Sequence, residues 1–161
     1  MGDRVCTAFL IAVVLGLAGP ARAEIVSYAT VRDDASLRLA DQTVRLAGIH
    51  IPDTSRTCRR EAAPTRCGSR TALALDGRLR GFVRCEERAH DPDGTIVGRC
   101  THVPSPGGPA EDLAAFLLRE GWAVAAPDAP FDYVTLERIA RAQRRGFWGI
   151  PVDEVIRLRE R

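Results

Sequence analysis

Residues 82–103 read FVRCEERAHDPDGTIVGRCTHV, and their reading decides the fold. Asp91-Pro92-Asp93-Gly94 is a turn sequence, with Pro at its second position and Gly at its fourth. Strand-like runs flank it, Phe82 to Glu87 and Thr95 to Val103. The two runs therefore pair as a hairpin. Counting outward from the centre of the turn brings Cys85 opposite Cys100, to within one residue of register. Cross-strand neighbours sit at about the Cβ separation that a disulfide needs.

Upstream, Ile25 to Val31, Leu37 to Ala40 and Thr43 to Ile51 read as three short strands. Asp33-Asp34 and Asp41-Gln42 mark the turns between them, and Pro52 ends the third. Asp53 to Arg66 is polar, arginine-rich and broken by proline, and reads as a loop. Ser69 starts a helix carrying Ala72, Leu75, Asp76 and Leu79 at helical spacing. Downstream of the hairpin, Pro109 opens a second helix with Glu111 and Asp112 in its first turn. Its apolar stripe is Leu113, Phe116 and Leu117, and Gly121 stops it. A third helix runs from about Asp132 to Arg145, with Leu136, Ile139 and Ala140 on one face and Gly146 at its end. Phe147 and Trp148 are expected to dock it on the core.

Three strands, a helix, two strands and two more helices predict a mainly β α+β domain, a five-stranded OB-fold barrel with three helices. A sheet with helices packed on one face is the competing architecture.

The chain has 161 residues, 45% of them apolar and 27% charged, with a formal charge of +2. That composition excludes a disordered chain and leaves room for one domain. A charge near zero also excludes non-specific nucleic-acid binding by the whole surface. Every basic residue is arginine and there is no asparagine, a coding bias, so arginine abundance alone carries no functional weight.

Residues 1–23 read as a secretory signal peptide. Arg4 precedes the apolar run Val5 to Ala18, which is too short to span a bilayer, and Ala21-Arg22-Ala23 is a small-x-small cleavage site. The organisation expected is signal peptide 1–23, domain 24–150 and tail 151–161. The product is expected to be secreted or periplasmic, off the membrane after cleavage, and monomeric. Cleavage leaves Cys58, Cys67, Cys85 and Cys100. An even cysteine count in an exported chain implies two disulfides. With Cys85 paired to Cys100, Cys58 and Cys67 staple the loop between them.

Four stretches carry a resemblance to a known family. They are Val44-Arg45-Leu46-Ala47-Gly48-Ile49 followed by Pro52-Asp53; Gly98-Arg99; Glu120-Gly121-Trp122-Ala123; and Leu136-Glu137-Arg138 through Arg144-Arg145-Gly146-Phe147-Trp148-Gly149. In this order, over residues 30 to 150, they resemble the staphylococcal (thermo)nuclease family. The cysteine arrangement looks like that of its secreted bacterial members. The resemblance implies an OB-fold that hydrolyses phosphodiesters in DNA and RNA with calcium. Two arginines clamp the phosphate, a glutamate activates water, and two aspartates hold the metal.

Carried over by motif position, the arginines are Arg45 and Arg99, and the glutamate is Asp53. The metal-binding aspartates fall on Ala35 and His50, so both metal carboxylates are gone. A methyl group ligates nothing, and a neutral imidazole is a poor ligand for calcium. The resemblance therefore implies catalytic positions Arg45, Asp53 and Arg99, phosphate binding by Arg45 and Arg99, and no metal ligands. The expectation is a thermonuclease-like protein that has weak or no hydrolysis and keeps affinity for single-stranded DNA or RNA. Two alternatives stay open. One is an active phosphodiesterase whose divalent cation sits on a site rebuilt from Asp34, His50 and Asp53. The other is a non-catalytic OB-fold module for another ligand.

Arg56, Arg59, Arg60 and Arg66, with Arg70 beyond, read either as a phosphate-attracting rim or as a solvated loop. Tyr28, Phe82 and Trp122 are the available stacking residues, Trp122 reading as core. Arg45 and Arg99 could instead pair with acids such as Asp53 or Asp93. His90 and His102 read as surface residues without a role.

Overall fold

The computed structural model describes residues 23–52, 57–60, 63–103 and 107–149, and only the backbone at 57–60 and 63–69. Residues 1–22 of the expected signal peptide, Asp53 and the tail lie outside these residues. So do the side chains of Cys58 and Cys67, and with them the second disulfide, as well as those of Arg56, Arg59, Arg60 and Arg66.

Five strands close the barrel. Glu24–Val31 (β1) pairs antiparallel with Leu37–Leu39 (β2), which pairs with Gln42–Leu46 (β3). On its other side β1 pairs with Phe82–His90 (β7), and β7 pairs with Ile96–His102 (β8). The ring is completed by a parallel pairing of β3 with β8, Arg45 opposite Val97 and Leu46 opposite Gly98. This is a mixed, closed five-stranded barrel with helices, the OB-fold-like α+β architecture read from the sequence.

Period-two alternation builds the core. In β8, Ile96, Gly98, Cys100 and His102 point inward while Arg99 faces solvent. Leu37, Leu39, Val44, Leu46, Val83 and Cys85 fill the interior with them. Each fully buried leucine contributes about 1.5–3 kcal/mol. Cys85 lies opposite Cys100 in the ladder, their Cα atoms 4.1 Å apart, and the two form a disulfide inside the barrel. The hairpin turn is the one expected, with Gly94 at φ +81° and its N–H donating to the Asp91 carbonyl at 2.9 Å.

Several local readings change. The third strand breaks after Leu46 because Gly48 turns the chain at φ +74°, and Ile49–His50 (β4) pairs instead with Val124–Ala125 (β10). The segment read as a loop holds a small hairpin, Thr57–Arg60 (β5) with Ala63–Arg66 (β6). The first helix, Cys67–Arg78 (α1), starts before Ser69 and buries Thr71 and Leu75, leaving Asp76 exposed. Glu111–Asp112 (β9) precedes Leu113–Arg119 (α2), so Asp112 caps that helix, accepting from the Ala115 N–H at 3.1 Å.

Phe131–Ala142 (α3) is shorter than expected and buries Tyr133, Glu137 and Ala140, while Ile139 is exposed. Glu137 is buried because its Oε2 accepts the Ala125 N–H at 2.9 Å. Phe147, in the 3-10 turn Gly146–Gly149, is buried against Trp122 with ring centroids 5.1 Å apart. His102 is a correction: it is buried, with Nε2 3.2 Å from the Arg78 carbonyl. Its inward position in β8 decides this. Among the described residues, no helix is long and apolar enough to cross a membrane.

Candidate functional site

Arg45 and Arg99 emerge on the same outer face of the barrel. Arg45 lies opposite Val97 across the parallel ladder, so Arg99 is one strand over and two residues along. Standard strand dimensions put their Cα atoms on the order of 8 Å apart. Both side chains are half-exposed.

Beside Arg45 a pocket of about 290 Å³ is lined by Asp34, Ala35, Ser36, Arg45, Leu46, Ile49, His50, Ile51 and Pro52. The fold thus gathers Arg45 with Ala35 and His50, the two positions onto which the resemblance carries the family's metal carboxylates. Arg99 does not line this pocket, and Asp53 follows its rim residue Pro52 outside the described residues.

The turn from β1 to β2 shapes one wall. Asp34 Oδ1 accepts from the Ser36 backbone N–H at 3.0 Å and from the Ser36 hydroxyl at 2.6 Å, while Ala35 sits at φ +60°. Burial pushes the Asp34 carboxyl up. The two Ser36 hydrogen bonds and the charges of Arg32 and Arg45 outweigh it and hold the group below its ordinary range.

This donor set does not fit a resident calcium ion. One Asp34 oxygen is committed to Ser36, Ala35 offers a methyl group, and His50 an imidazole. No cluster of three His, Cys, Asp or Glu suited to a metal occurs among the described residues.

The two arginines are held differently. Arg45 Nη1 donates to Asp91 and its Nη2 lies 3.6 Å from Asp93 Oδ2, so both terminal nitrogens face acids of the hairpin turn. Asp93 is prearranged: the Thr95 N–H donates to its Oδ1 at 3.0 Å, and hydrogen bonding to Thr95 lowers its pKa. Arg99 donates from Nε to Asp112 Oδ2 at 2.8 Å, the contact that holds it among the described residues. Asp112 Oδ2 also accepts from the Tyr133 hydroxyl at 2.8 Å. The hydrogen bond from Arg99 to Asp112 and the Asp112 charge stabilise the Arg99 cation, raising its pKa. Burial, and then Asp112, push the Tyr133 hydroxyl pKa up.

Asp93 was among the acids expected beside the arginines; Asp91, Asp112 and Tyr133 were not. The turn reading located Asp91 in the hairpin. Only the β3–β8 closure, joining segments some fifty residues apart, carries that turn over Arg45.

No family model matches the chain. It is similar to the succinoglycan biosynthesis protein ExoI of Rhizobium meliloti (strain 1021), 29% identical over 131 residues that cover 77% of this chain. The chain spans 64% of the length of that relative.

Proposed function

We propose that the chain is an exported, thermonuclease-like OB-fold protein that binds the phosphodiester backbone of single-stranded DNA or RNA and has lost efficient hydrolysis. The observation that carries this reading is that Arg45 and Arg99 share one barrel face, Arg45 beside a pocket with no carboxylate set for a cation among the described residues. Guanidinium groups fork onto phosphate oxygens, and Arg99 is already oriented by Asp112. Without the cation, negative charge building on a phosphate during hydrolysis has no counter-ion beyond the arginines. The buried Cys85–Cys100 disulfide supports export to an oxidising compartment, as does the apolar N-terminal run.

The test uses the oxidised protein without residues 1–23 and short DNA and RNA strands, with calcium, manganese, zinc or EDTA. Binding without cleavage is expected, with a slope of log K against log salt of about −1.4 for two phosphate contacts. Arg45→Ala/Arg99→Ala should remove it. Metal-dependent cleavage abolished by that double variant would replace this reading with an active phosphodiesterase built on Asp34, His50 and Asp53.

The likeness to a succinoglycan biosynthesis protein favours one second reading, in which the same arginines hold an anionic glycan. Competition of such a glycan with the oligonucleotide separates the two.

A further inference from the structure

Tyr28 and Phe82 face each other across the β1–β7 ladder, on the solvent side of the barrel. Their rings lie 4.2 Å apart, tilted by 36°, yet Tyr28 remains 65% and Phe82 57% exposed. Val26, 53% exposed, and Val103, 43% exposed, extend the patch. Inward-facing neighbours on the same strands, such as Val83, satisfy the core without them. Two rings that stack on each other across a ladder and both stay more than half exposed leave an apolar pair open to solvent, a surface suited to recognition.

The charges around it select the ligand. Arg80 and Arg84 flank Phe82 along the chain. Arg80 donates only to the Leu79 and Asp76 carbonyls, at 2.6 and 3.5 Å, so its charge is unmatched by any carboxylate among the described residues. Arg84 is paired to Glu24 at 3.0 Å. The same outer face continues to Arg99, which lies opposite Glu86 in the β7–β8 ladder. Phe82 is four residues along β7 from Glu86, about 14 Å from Arg99 between Cα atoms by strand geometry. That span falls well within the roughly 4–16 nucleotides an OB-fold engages.

We propose that Tyr28 and Phe82 form a stacking platform for the bases of the single-stranded nucleic acid whose backbone Arg99 holds. The proposal rests on the phosphate-binding reading above and assigns its base subsite. An aromatic face accepts any base, so the platform adds affinity with little sequence preference. The phosphates pass Arg99 and Arg80, and the bases turn onto the rings.

The test measures binding of a twelve-residue oligothymidine and of an abasic strand of the same length. Tyr28→Ala/Phe82→Ala should weaken oligothymidine binding roughly tenfold, the loss of about one stacked base. It should leave the abasic strand and the salt dependence unchanged. Tyr28→Leu/Phe82→Leu, which keeps apolar bulk and removes the ring faces, should lose as much. Unchanged oligothymidine affinity in both variants, with Arg45→Ala/Arg99→Ala still abolishing binding, overturns the platform and leaves the phosphate reading standing. An equal loss on the abasic strand also overturns the platform. So does wild-type binding of a neutral oligosaccharide that depends on the two rings, or a dimer that their removal dissociates. Failure of the wild-type protein to bind either strand overturns platform and phosphate reading together.

Discussion

Gly121 and Gly146 cross backbone against backbone. A Cβ on Gly146 would lie 2.2 Å from the Gly121 carbonyl oxygen, and one on Gly121 would lie 2.3 Å from the Arg145 carbonyl oxygen. Both residues also have positive φ, +74° and +52°, and the Phe147 N–H donates to the Gly121 carbonyl at 3.0 Å. The crossing seats Phe147 beneath Trp122 and ties the end of α3 to the end of α2. Gly121→Ala or Gly146→Ala should therefore cost about 3 kcal/mol, because a loop must move as well as adopt a strained φ. Gly94→Ala, at φ +81° with open space around it, should cost only about 1 kcal/mol. Urea unfolding of the three variants checks the difference.

The Cys85–Cys100 disulfide closes a sequence separation of 15 inside the barrel. A loop of that size restricts the unfolded chain by about 3 kcal/mol. Reduction, or Cys85→Ala/Cys100→Ala, should lower the unfolding free energy by about that amount. Matched urea titrations with and without a reducing thiol measure it.

Asp91 and Asp93 occupy the guanidinium nitrogens that a phosphate would use on Arg45. An incoming anion has to displace them. Asp91→Asn/Asp93→Asn should tighten oligonucleotide binding roughly three- to tenfold. In an Arg45→Ala background the same double substitution should do little. A gain of equal size in both backgrounds would show general charge repulsion instead of competition for Arg45.

Glu111 joins Arg78, at 2.7 Å, to Arg119, at 2.6 Å. Burial raises its pKa, but hydrogen bonds and charge from the two arginines prevail and hold it below the ordinary 4.5. The unfolded carboxyl thus binds protons more readily than the folded one. Its stabilisation is full above pH 4.5 and is lost as the pH falls through the lower folded value. Asp34 acts in the same direction below its ordinary 3.8. Glu111→Gln should reduce stability at neutral pH and flatten the acid limb. Urea midpoints from neutral pH to about pH 3 provide the check.

The parts of the fold legible in the chain are those set by local chemistry. The strand-like runs of β1 and β8, the Asp91–Gly94 turn and the spacing of Cys85 from Cys100 need only neighbouring residues, because strand propensity and turn geometry are local. The helices were legible as elements, and Leu75, Leu113, Leu117 and Ala140 are buried as read, but the inner face of α3 was only partly legible because Ile139 is exposed. Tyr133 and Glu137 line the inner face of α3 because Asp112 and the Ala125 N–H supply partners from other elements. No periodicity count of apolar residues includes a buried glutamate.

Of the candidate site, the sequence by itself determined the chemistry on offer: two arginines at strand positions, a methyl group at Ala35 and an imidazole at His50. Tertiary structure decided how that chemistry is presented. Closing β3 against β8 placed Arg45 and Arg99 on one face and drew Asp91 and Asp93 over Arg45, while pairing β1 with β7 set Tyr28 beside Phe82. Those relationships join residues far apart in the chain. They exist only when the barrel closes, because the ladder register specifies which side chains become neighbours.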